Sequence, residues 1–452
     1  MDYLTGGIAW SLFFIYRKTE IEHMDLELNE TFWLGAFVVP SFWLLLYGII
    51  GTYKDVFRLH RLKIISQTLA ASLIGVIVLF FALLLDDRVQ TYQTYYESIL
   101  ALFFFHSFIT LVPRFILITR FVKAIQSGKI GFKTLLVGGS DKAIAIYEEI
   151  KSLPKSMGHN FVGFVNLNGI DTQLKEQLAY LGHADELHEI LEKYEVEEVI
   201  IALDTSEHEK LRQIVSVVTP HDVSIKLIPD MYDILSGSVK MNNIFGTLLI
   251  EINRDPMPVW QHHLKRIMDV VISLIALVVL IPVYIILAIW VKVSSKGPVF
   301  FTQERVGMKG KTFRIIKFRT MYVDAEKNGP QLSSENDPRI TPVGRIMRKY
   351  RLDEFPQFFN VLKGDMSIVG PRPERKYYIN QITSREPQYL ELTRVRPGIT
   401  SWGQVKYGYA ENVDQMIQRM KYDLLYIRNR SLALDIKIMF YTILIVLTAK
   451  GK

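Results

Sequence analysis

The first 120 residues hold four apolar stretches, and stretches that long and that poor in charge have few places to go. Phe32 to Gly51 and Ile64 to Leu85 each come near the roughly 20 residues that a helix needs to cross a bilayer core. Ile99 to Ile118 is similar but carries His106, Pro113 and Arg114. Those residues are costly in lipid, so they are expected to face other helices or lie near the boundary. Tyr3 to Tyr16 is apolar and aromatic but short, and suits either a thin first span or a helix lying in the interface. The competing reading is the core of a large soluble protein. The segment lengths, an aromatic content of 12% and a mean hydropathy of +0.17 count against it.

Loop charge supplies an orientation. The link between the second and third stretches carries Lys54, Arg58, Arg61 and Lys63, and the chain after the fourth carries Arg120, Lys123, Lys129 and Lys133. The other two links are acidic, with Glu20, Glu22, Asp25, Glu27 and Glu30 in one and Asp86, Asp87 and Glu97 in the other; the first also holds Arg17 and Lys18. Counting the bases predicts a four-helix transmembrane bundle over residues 1–120 with both ends inside, and a cytoplasmic chain after Arg120.

The pattern then changes. Lys133 to Val137 is a short buried-strand run, followed by Gly138-Gly139-Ser140 and a helical pattern to Ile150. Phe161 to Val165 and Glu198 to Leu203 read as further strands, with helical stretches at Ala184 to Tyr194 and Glu207 to Val218. This alternation predicts a doubly wound, Rossmann-like α/β domain over residues 131–251. A nucleotide phosphate would sit at its glycine-rich turn. The G-x-G-x-x-G fingerprint is only partly kept, because Ser140 replaces the second glycine and Ala143 the third. A structural or oligomerising role is therefore ranked above nucleotide sensing.

Ile267 to Trp290 is continuously apolar except for Asp269, and Lys265, Arg266 and Lys292 flank it. Hydropathy alone reads a fifth span. Pro282 sits mid-segment, where it costs a helix about 3 kcal/mol or more unless the break is used. Bases at both ends fit a hairpin that returns to the same face better than a crossing. Downstream, Phe313 to Phe318 alternates like a strand, and Asn328 to Asp337 reads as a loop. Ile436 to Thr448 is apolar but short, hence interfacial.

The chemistry concentrates between Arg348 and Glu374. Asp353 and Glu354 are adjacent carboxylates, with Arg348 and Arg351 before them and Arg372 after. Asp353 is placed as a helix N-cap, with Pro356 in the first turn and Gly364 just past the end. Backbone N–H groups of such a turn favour anions and keep a carboxylate ionised. Adjacent carboxylates point in different directions, so one can attack phosphorus while the other holds a metal. A plain helix cap with solvated arginine flanks is the bland alternative.

Asp353-Glu354 followed by Gly364-Asp365-Met366-Ser367 and Gly370-Pro371-Arg372-Pro373-Glu374 resembles the bacterial sugar transferase family. Three further blocks match in the same order: Lys265-Arg266 with Asp269, Lys317-Phe318-Arg319-Thr320-Met321, and Arg396-Pro397-Gly398-Ile399-Thr400. The resemblance is dense from about Lys265 to the C-terminus. Upstream, the layout is more loosely similar to the longer members. It implies a mixed α/β monotopic catalytic domain over residues 262–452, with a re-entrant helix at 267–291 broken at Pro282. It also implies a place on the cytoplasmic face of the bacterial inner membrane. The reaction implied moves a sugar 1-phosphate from a nucleoside diphosphate sugar, most often a UDP-sugar, to undecaprenyl phosphate. The products would be undecaprenyl-diphosphate sugar and UMP, the first step of exopolysaccharide, capsule, O-antigen or glycoprotein glycan synthesis. By the same resemblance, Asp353 is the nucleophile, giving an aspartyl-phosphosugar intermediate. Glu354 is the carboxylate for Mg2+. Arg348 and Arg372 contact phosphate, and Lys317, Arg319 and Arg396 fall in matching blocks. The chain departs from the pattern after Gln404, where many relatives show Asn-Gly-Arg and this one has Lys406-Tyr407-Gly408; Lys406 is the candidate substitute cation.

Other classes are weighed against this one. Net charge of +7 and a pI near 9.1 suit an anionic membrane surface and anionic substrates alike. No nucleic-acid module accompanies them, so no nucleic acid is expected as a partner. The absence of cysteine excludes disulfides, thiolate metal sites and cysteine nucleophiles. The apolar start lacks a basic n-region and an A-x-A-like site, so no cleavable signal peptide is expected. A dinucleotide-dependent enzyme centred on Gly138 and Gly139 would need an acid–base pair that the α/β segment does not show. A non-catalytic scaffold or nucleotide-sensing protein of glycan assembly is the remaining alternative. The sugar, the fate of the glycan and the oligomeric state, including a homodimer, stay open.

Overall fold

The computed structural model describes residues 1–54, 61–84, 92–167, 172–203, 207–221, 223–228, 247, 249–252, 255–325, 327, 329–333 and 337–448. Expectations resting on Arg58, Asp86, Asp87 and Asn328 lie outside these residues. The chain divides into two compact units. One holds Met1–Gly131 with Pro154–Gly158 and Pro258–Trp260, and the other holds Phe132–Leu153, His159–Met257 and Gln261–Lys452.

The first unit is built from helices Asp2–Tyr16, Glu30–Ile50, Arg61–Leu79 and Tyr92–Gln126. Among the described residues, three helices are long and apolar enough to cross a membrane: Glu30–Ile50, Arg61–Ala82 and Gln93–Gln126. The first apolar stretch forms a helix of 15 residues that runs on into a π-helical turn at Arg17–Ile21. Phe13, Trp43 and Tyr47 fill the interior, while Leu34, Phe37, Leu45 and Phe104 point outward. The costly polar groups face inward, as expected. Arg114 pairs with Asp2 at 2.6 Å and donates to Thr68 Oγ1 at 3.1 Å. Its guanidinium lies 3.9 Å from the centre of the Tyr47 ring, and the Tyr47 hydroxyl lies 2.8 Å from His106 Nε2.

In the second unit, strands β1 (Phe132–Val137), β2 (His159–Asn166), β3 (Tyr180–His183), β4 (Glu198–Ile201), β5 (Ser224–Leu227) and β6 (Ile250–Glu251) form one sheet in the order β3-β2-β1-β4-β5-β6. The first five are parallel and β6 is antiparallel to β5. The strand order reverses beside β1, which is the doubly wound arrangement the alternation predicts. Helices Asp141–Ser152, Leu187–Lys193 and His208–Val218 connect the strands. At the end of β1, a Cβ on Gly139 would lie 2.5 Å from the Asn166 side chain. The Asn166 side chain already occupies that space, so a larger residue would have to displace it.

The remainder of the unit starts with helices Val259–Val279 and Ile281–Ser294, which meet at a bend of 63°. Pro282 lies in the first turn of the second helix, where its missing N–H costs nothing. Both helices expose apolar side chains, among them Ile275, Val279, Ile286 and Ile289. An antiparallel hairpin follows, β7 (Phe300–Val306) with β8 (Thr312–Phe318). Helices Pro342–Lys349 and Gln357–Lys363 bracket the acid pair, and β9 (Ser367–Val369) runs parallel to β10 (Gly398–Thr400). The last helix, Leu432–Leu447, buries Asp435 and Ile438 while exposing Ile436, Phe440 and Leu447.

Candidate active site

The acid pair is positioned by a short chain of causes. Thr341 caps helix Pro342–Lys349, its hydroxyl accepting from Gly344 N at 3.0 Å. Past that helix, Arg351 takes a left-handed backbone with φ 53°. A 3-10 turn, Leu352–Glu354, carries both acids, and helix Gln357–Lys363 then ends at Gly364 with φ 97°. The expected Asp353 N-cap is corrected here: the capping position belongs to Pro356, and Asp353 lies one turn earlier. Asn360 clips the following helix to β8, accepting from Ile316 N at 3.0 Å and donating to Arg314 O at 2.8 Å. That clip brings Lys317 of β8 to the acids.

Glu354 Oε1 accepts from Lys317 Nζ at 2.8 Å and from Arg372 Nη1 at 3.4 Å, while Oε2 lies 3.8 Å from Arg351 Nη1. Burial works against ionising Glu354, but Lys317, Arg372 and Arg351 overrule it and hold the group well below the ordinary carboxylate range. Asp353 behaves oppositely. Among the described residues its carboxylate accepts no hydrogen bond, and burial pushes it above the ordinary range. Lys317 pulls it back and Glu354 pushes it up again. The expectation that helix N–H groups keep Asp353 ionised is thereby corrected, because the 3-10 turn uses Glu354 N on Arg351 O at 3.2 Å and Phe355 N on Leu352 O at 3.4 Å.

Arg372 is set by Glu374. That acid is buried between Arg419 Nη2 at 2.6 Å and Arg305 Nη1 at 3.2 Å, and its Oε1 lies 3.9 Å from Arg372 Nε. Arg305 and Arg419 were invisible to sequence reasoning, since they reach Glu374 from 69 and 45 residues away. Other predicted cations are engaged elsewhere. Arg348 donates to Thr320 Oγ1 at 2.9 Å and Ser333 Oγ at 2.7 Å, although its charge still lowers Asp353. Arg319 donates to the carbonyls of Lys296 and Ser295, the latter at 2.8 Å. Arg396 is exposed and donates to Gly364 O at 3.0 Å. Lys406, the candidate substitute cation, has its ammonium over Trp402 and Tyr441, 5.1 and 5.9 Å from the ring centres.

Residues 260–449 match the family described as Bacterial sugar transferase, and residues 48–229 match one described as a CoA-binding domain. Three curated relatives are informative. The UDP-N-acetylgalactosamine-undecaprenyl-phosphate N-acetylgalactosaminephosphotransferase of Aeromonas hydrophila is 42% identical over 228 residues, covering 50% of this chain and 52% of that one. The UDP-glucose:undecaprenyl-phosphate glucose-1-phosphate transferase of Xanthomonas campestris pv. campestris is 34% identical, over 77% of this chain and 74% of its own length. The like-named protein of Klebsiella pneumoniae is 30% identical over 88% and 86%. The chain belongs to the bacterial sugar transferase family. It is a transferase, and its apolar helices mark it as a bacterial membrane protein.

In this sugar transferase the first motif block is an anchor. Lys265 Nζ bonds Asp435 Oδ2 at 2.7 Å and Val369 O at 2.9 Å, and Arg266 donates to Val361 O at 2.8 Å and Leu362 O at 3.1 Å. Asp269 accepts from Ile368 N at 3.0 Å. The acid pair fits a magnesium ion: Glu354 Oε2 and Asp353 offer oxygens without a donor among the described residues, beside cations suited to phosphate. A second cluster, His188, Glu192 and His221 of the α/β part, is less suited. Its two imidazole nitrogens face each other at 2.7 Å, a hydrogen-bond separation. Two nitrogens sharing a tetrahedral zinc stand roughly 3.3 Å apart, from Zn–N bonds near 2.0 Å.

Proposed function

We propose that this transferase moves a sugar 1-phosphate from a nucleoside diphosphate sugar, a UDP-sugar first of all, to undecaprenyl phosphate, initiating a bacterial surface glycan. The observation that carries the reading is the asymmetry of the acid pair: Glu354 is held by three cations while Asp353 accepts no hydrogen bond among the described residues. An unengaged, buried carboxylate beside fixed positive charge is a nucleophile ready for phosphorus. Asp353 forms the new O–P bond, the diphosphate bond breaks, and the electron pair leaves on UMP. An oxygen of undecaprenyl phosphate then attacks the aspartyl-phosphosugar and frees Asp353. Lys317 and Arg372 stabilise the charge on the phosphoryl oxygens. Glu354 would hold Mg2+, which would supply Lewis-acid polarisation of the donor phosphates. One diphosphate bond is broken and one made, so excess UMP should drive the reaction backwards.

The reading requires the acid pair in the cytoplasm, where nucleotide-sugars are made. In that topology the N-terminal unit crosses the inner membrane four times, the first helix included. The bent pair Val259–Val279 and Ile281–Ser294 enters and leaves on the cytoplasmic side. Its apolar exposure and the bases at both ends support this. The test is incubation of membranes containing the protein with a panel of nucleotide-sugars and undecaprenyl phosphate, following UMP release. Release that depends on both substrates is the expected result; none with any donor overturns the reading. Single cysteines at Gln261 and Lys309 of this cysteine-free chain test the topology. Both are expected to resist an impermeant reagent in intact cells, and labelling of Lys309 alone would make the pair a span.

A further inference from the structure

The basic side chains around the acid pair differ in what their N–H groups already do. Arg348 is bonded to two hydroxyls, Arg319 to two carbonyls and Arg396 to one. Arg305 is bonded to Gln303, Pro373 O and Glu374. Lys317 is bonded to Glu354. Arg351 is the exception: among the described residues its guanidinium donates no hydrogen bond. Its nearest acid oxygen, Glu354 Oε2, is 3.8 Å away, beyond hydrogen-bond range. The side chain is nonetheless 13% exposed, and it sits in the field of Glu354, Arg372, Asp353 and Tyr409.

The backbone makes this placement more pointed. Arg351 follows the end of helix Pro342–Lys349 with φ 53° and ψ 26°. Helices commonly end there on glycine, which adopts that conformation without strain, whereas a side chain with a Cβ does so at a cost. The turn itself uses only the main chain of this residue. Arg351 N donates to Arg348 O at 3.1 Å, and Arg351 O accepts from Glu354 N at 3.2 Å. Glycine would serve those two bonds equally well. The strain is therefore tolerated for a guanidinium that stands beside the acid pair as an ion-pair partner of Glu354 and, among the described residues, donates no hydrogen bond.

We propose that Arg351 is a catalytic residue that grips the diphosphate of the nucleotide-sugar donor, hydrogen-bonding the oxygen on which negative charge collects as UMP departs. The inference rests on the transfer reaction proposed above and adds a cation to it. Asp353 forms the O–P bond, the bond to the leaving phosphate breaks, and Arg351 stabilises the departing oxygen without giving up a proton. A planar guanidinium matches phosphate bidentately, which an ammonium cannot do.

The experiment uses the full-length protein in detergent, UDP-sugar and undecaprenyl phosphate, with UMP release as readout. Arg351→Gly keeps the turn and removes the cation. Its kcat/KM for the donor is expected to fall about 100-fold, the size of loss seen when one transition-state donor is removed. Guanidinium chloride at tens of millimolar should restore a measurable share, and urea at the same concentration should not. Arg351→Lys should fall between the two. An Arg351→Gly protein within about three-fold of the parent, or a slow one that guanidinium does not raise, overturns the proposal. Should Arg351→Gly not purify as a folded protein, Arg351→Gln replaces it. Parent-like turnover of that variant overturns the proposal, and low turnover with guanidinium rescue supports it. A parent that releases no UMP removes the transfer reading and this inference with it; an active parent with an unaffected variant removes the inference alone.

Discussion

Two turns in this chain look, as sequence, like places for phosphate: Gly138-Gly139-Ser140 at the end of β1, and Asp353-Glu354 after helix Pro342–Lys349. In the first, the glycines lie tight against protein. A Cβ on Gly138 would lie 2.4 Å from Ala202 O, and one on Gly139 would run into Asn166. Its glycines permit strands and loop to pack, which is a structural use of the permissive residue. The second turn has Lys317, Arg372 and Arg351 within 4 Å of Glu354, and leaves Asp353 without a donor among the described residues. The comparison teaches that a phosphate site is marked by uncommitted hydrogen-bonding groups and fixed charge, whereas a glycine pattern alone marks only close approach.

The sharpest test of that contrast is Asp353→Asn. Transfer is expected to fall by about 10^4-fold or more, as when other nucleophiles are removed, with the protein still folded in the membrane. Near-parent UMP release would break the assignment.

Next in size is a pair of opposite stability effects. Glu354 is depressed, so it contributes stability that is present above its unfolded pKa and lost as pH falls through the lower folded value. Glu354→Gln also leaves Lys317 without its charged partner and should destabilise by about 3 kcal/mol. Asp353 is raised, so its cost grows in as pH rises from the ordinary value to the folded one. Asp353→Asn should therefore melt above the parent at neutral pH. Thermal melts of both variants in detergent decide it, and a shift in the same direction for both would refute the asymmetry.

A fragment beginning at Gln261 should keep transfer within about 10-fold of the full chain, roughly 1.4 kcal/mol of barrier. The site's partners all lie after that residue, among them Lys317, Arg372, Glu374 and Arg419. A folded fragment without turnover would show that the upstream chain completes the site. The smallest effect is expected from Gly139→Ala in the full protein. The α/β part should lose stability while UMP release per folded molecule changes less than about three-fold. A selective loss of turnover would reopen the glycine-rich turn as a functional site.

Long or chemically distinctive elements were legible in the sequence. The apolar helices announced themselves by length, and β1, β2 and β4 by buried runs. β3, β5 and β6 did not, because at least half of the residues in each are only partly buried, so no continuous buried run marks them as one marks β4. In the site, the identity of the acids was readable but the fate of the arginines was not. Arg319 and Arg372 look alike in sequence, yet one is tied to two carbonyls and the other to Glu354. Arg351 was visible only as one more basic flank, since its significance lies in its backbone angle and in the bonds it does not make. The Asp353 cap was misplaced by one turn because Pro356 starts the helix equally well.

The bent helix pair is fastened to the acid turn from several sides. Arg266 holds the carbonyls of Val361 and Leu362, the Tyr284 hydroxyl donates to Phe355 O at 2.8 Å, and Arg319 grips the far end of the second helix. With the pair embedded as proposed, the turn has the draught of a hull: it rides at whatever depth the apolar wedge beneath it settles. Bilayers of shorter or longer acyl chains should then raise or lower Asp353 relative to the headgroup plane, where the acceptor's phosphate waits. The enzyme would be trimmed to one membrane thickness and slower on either side of it.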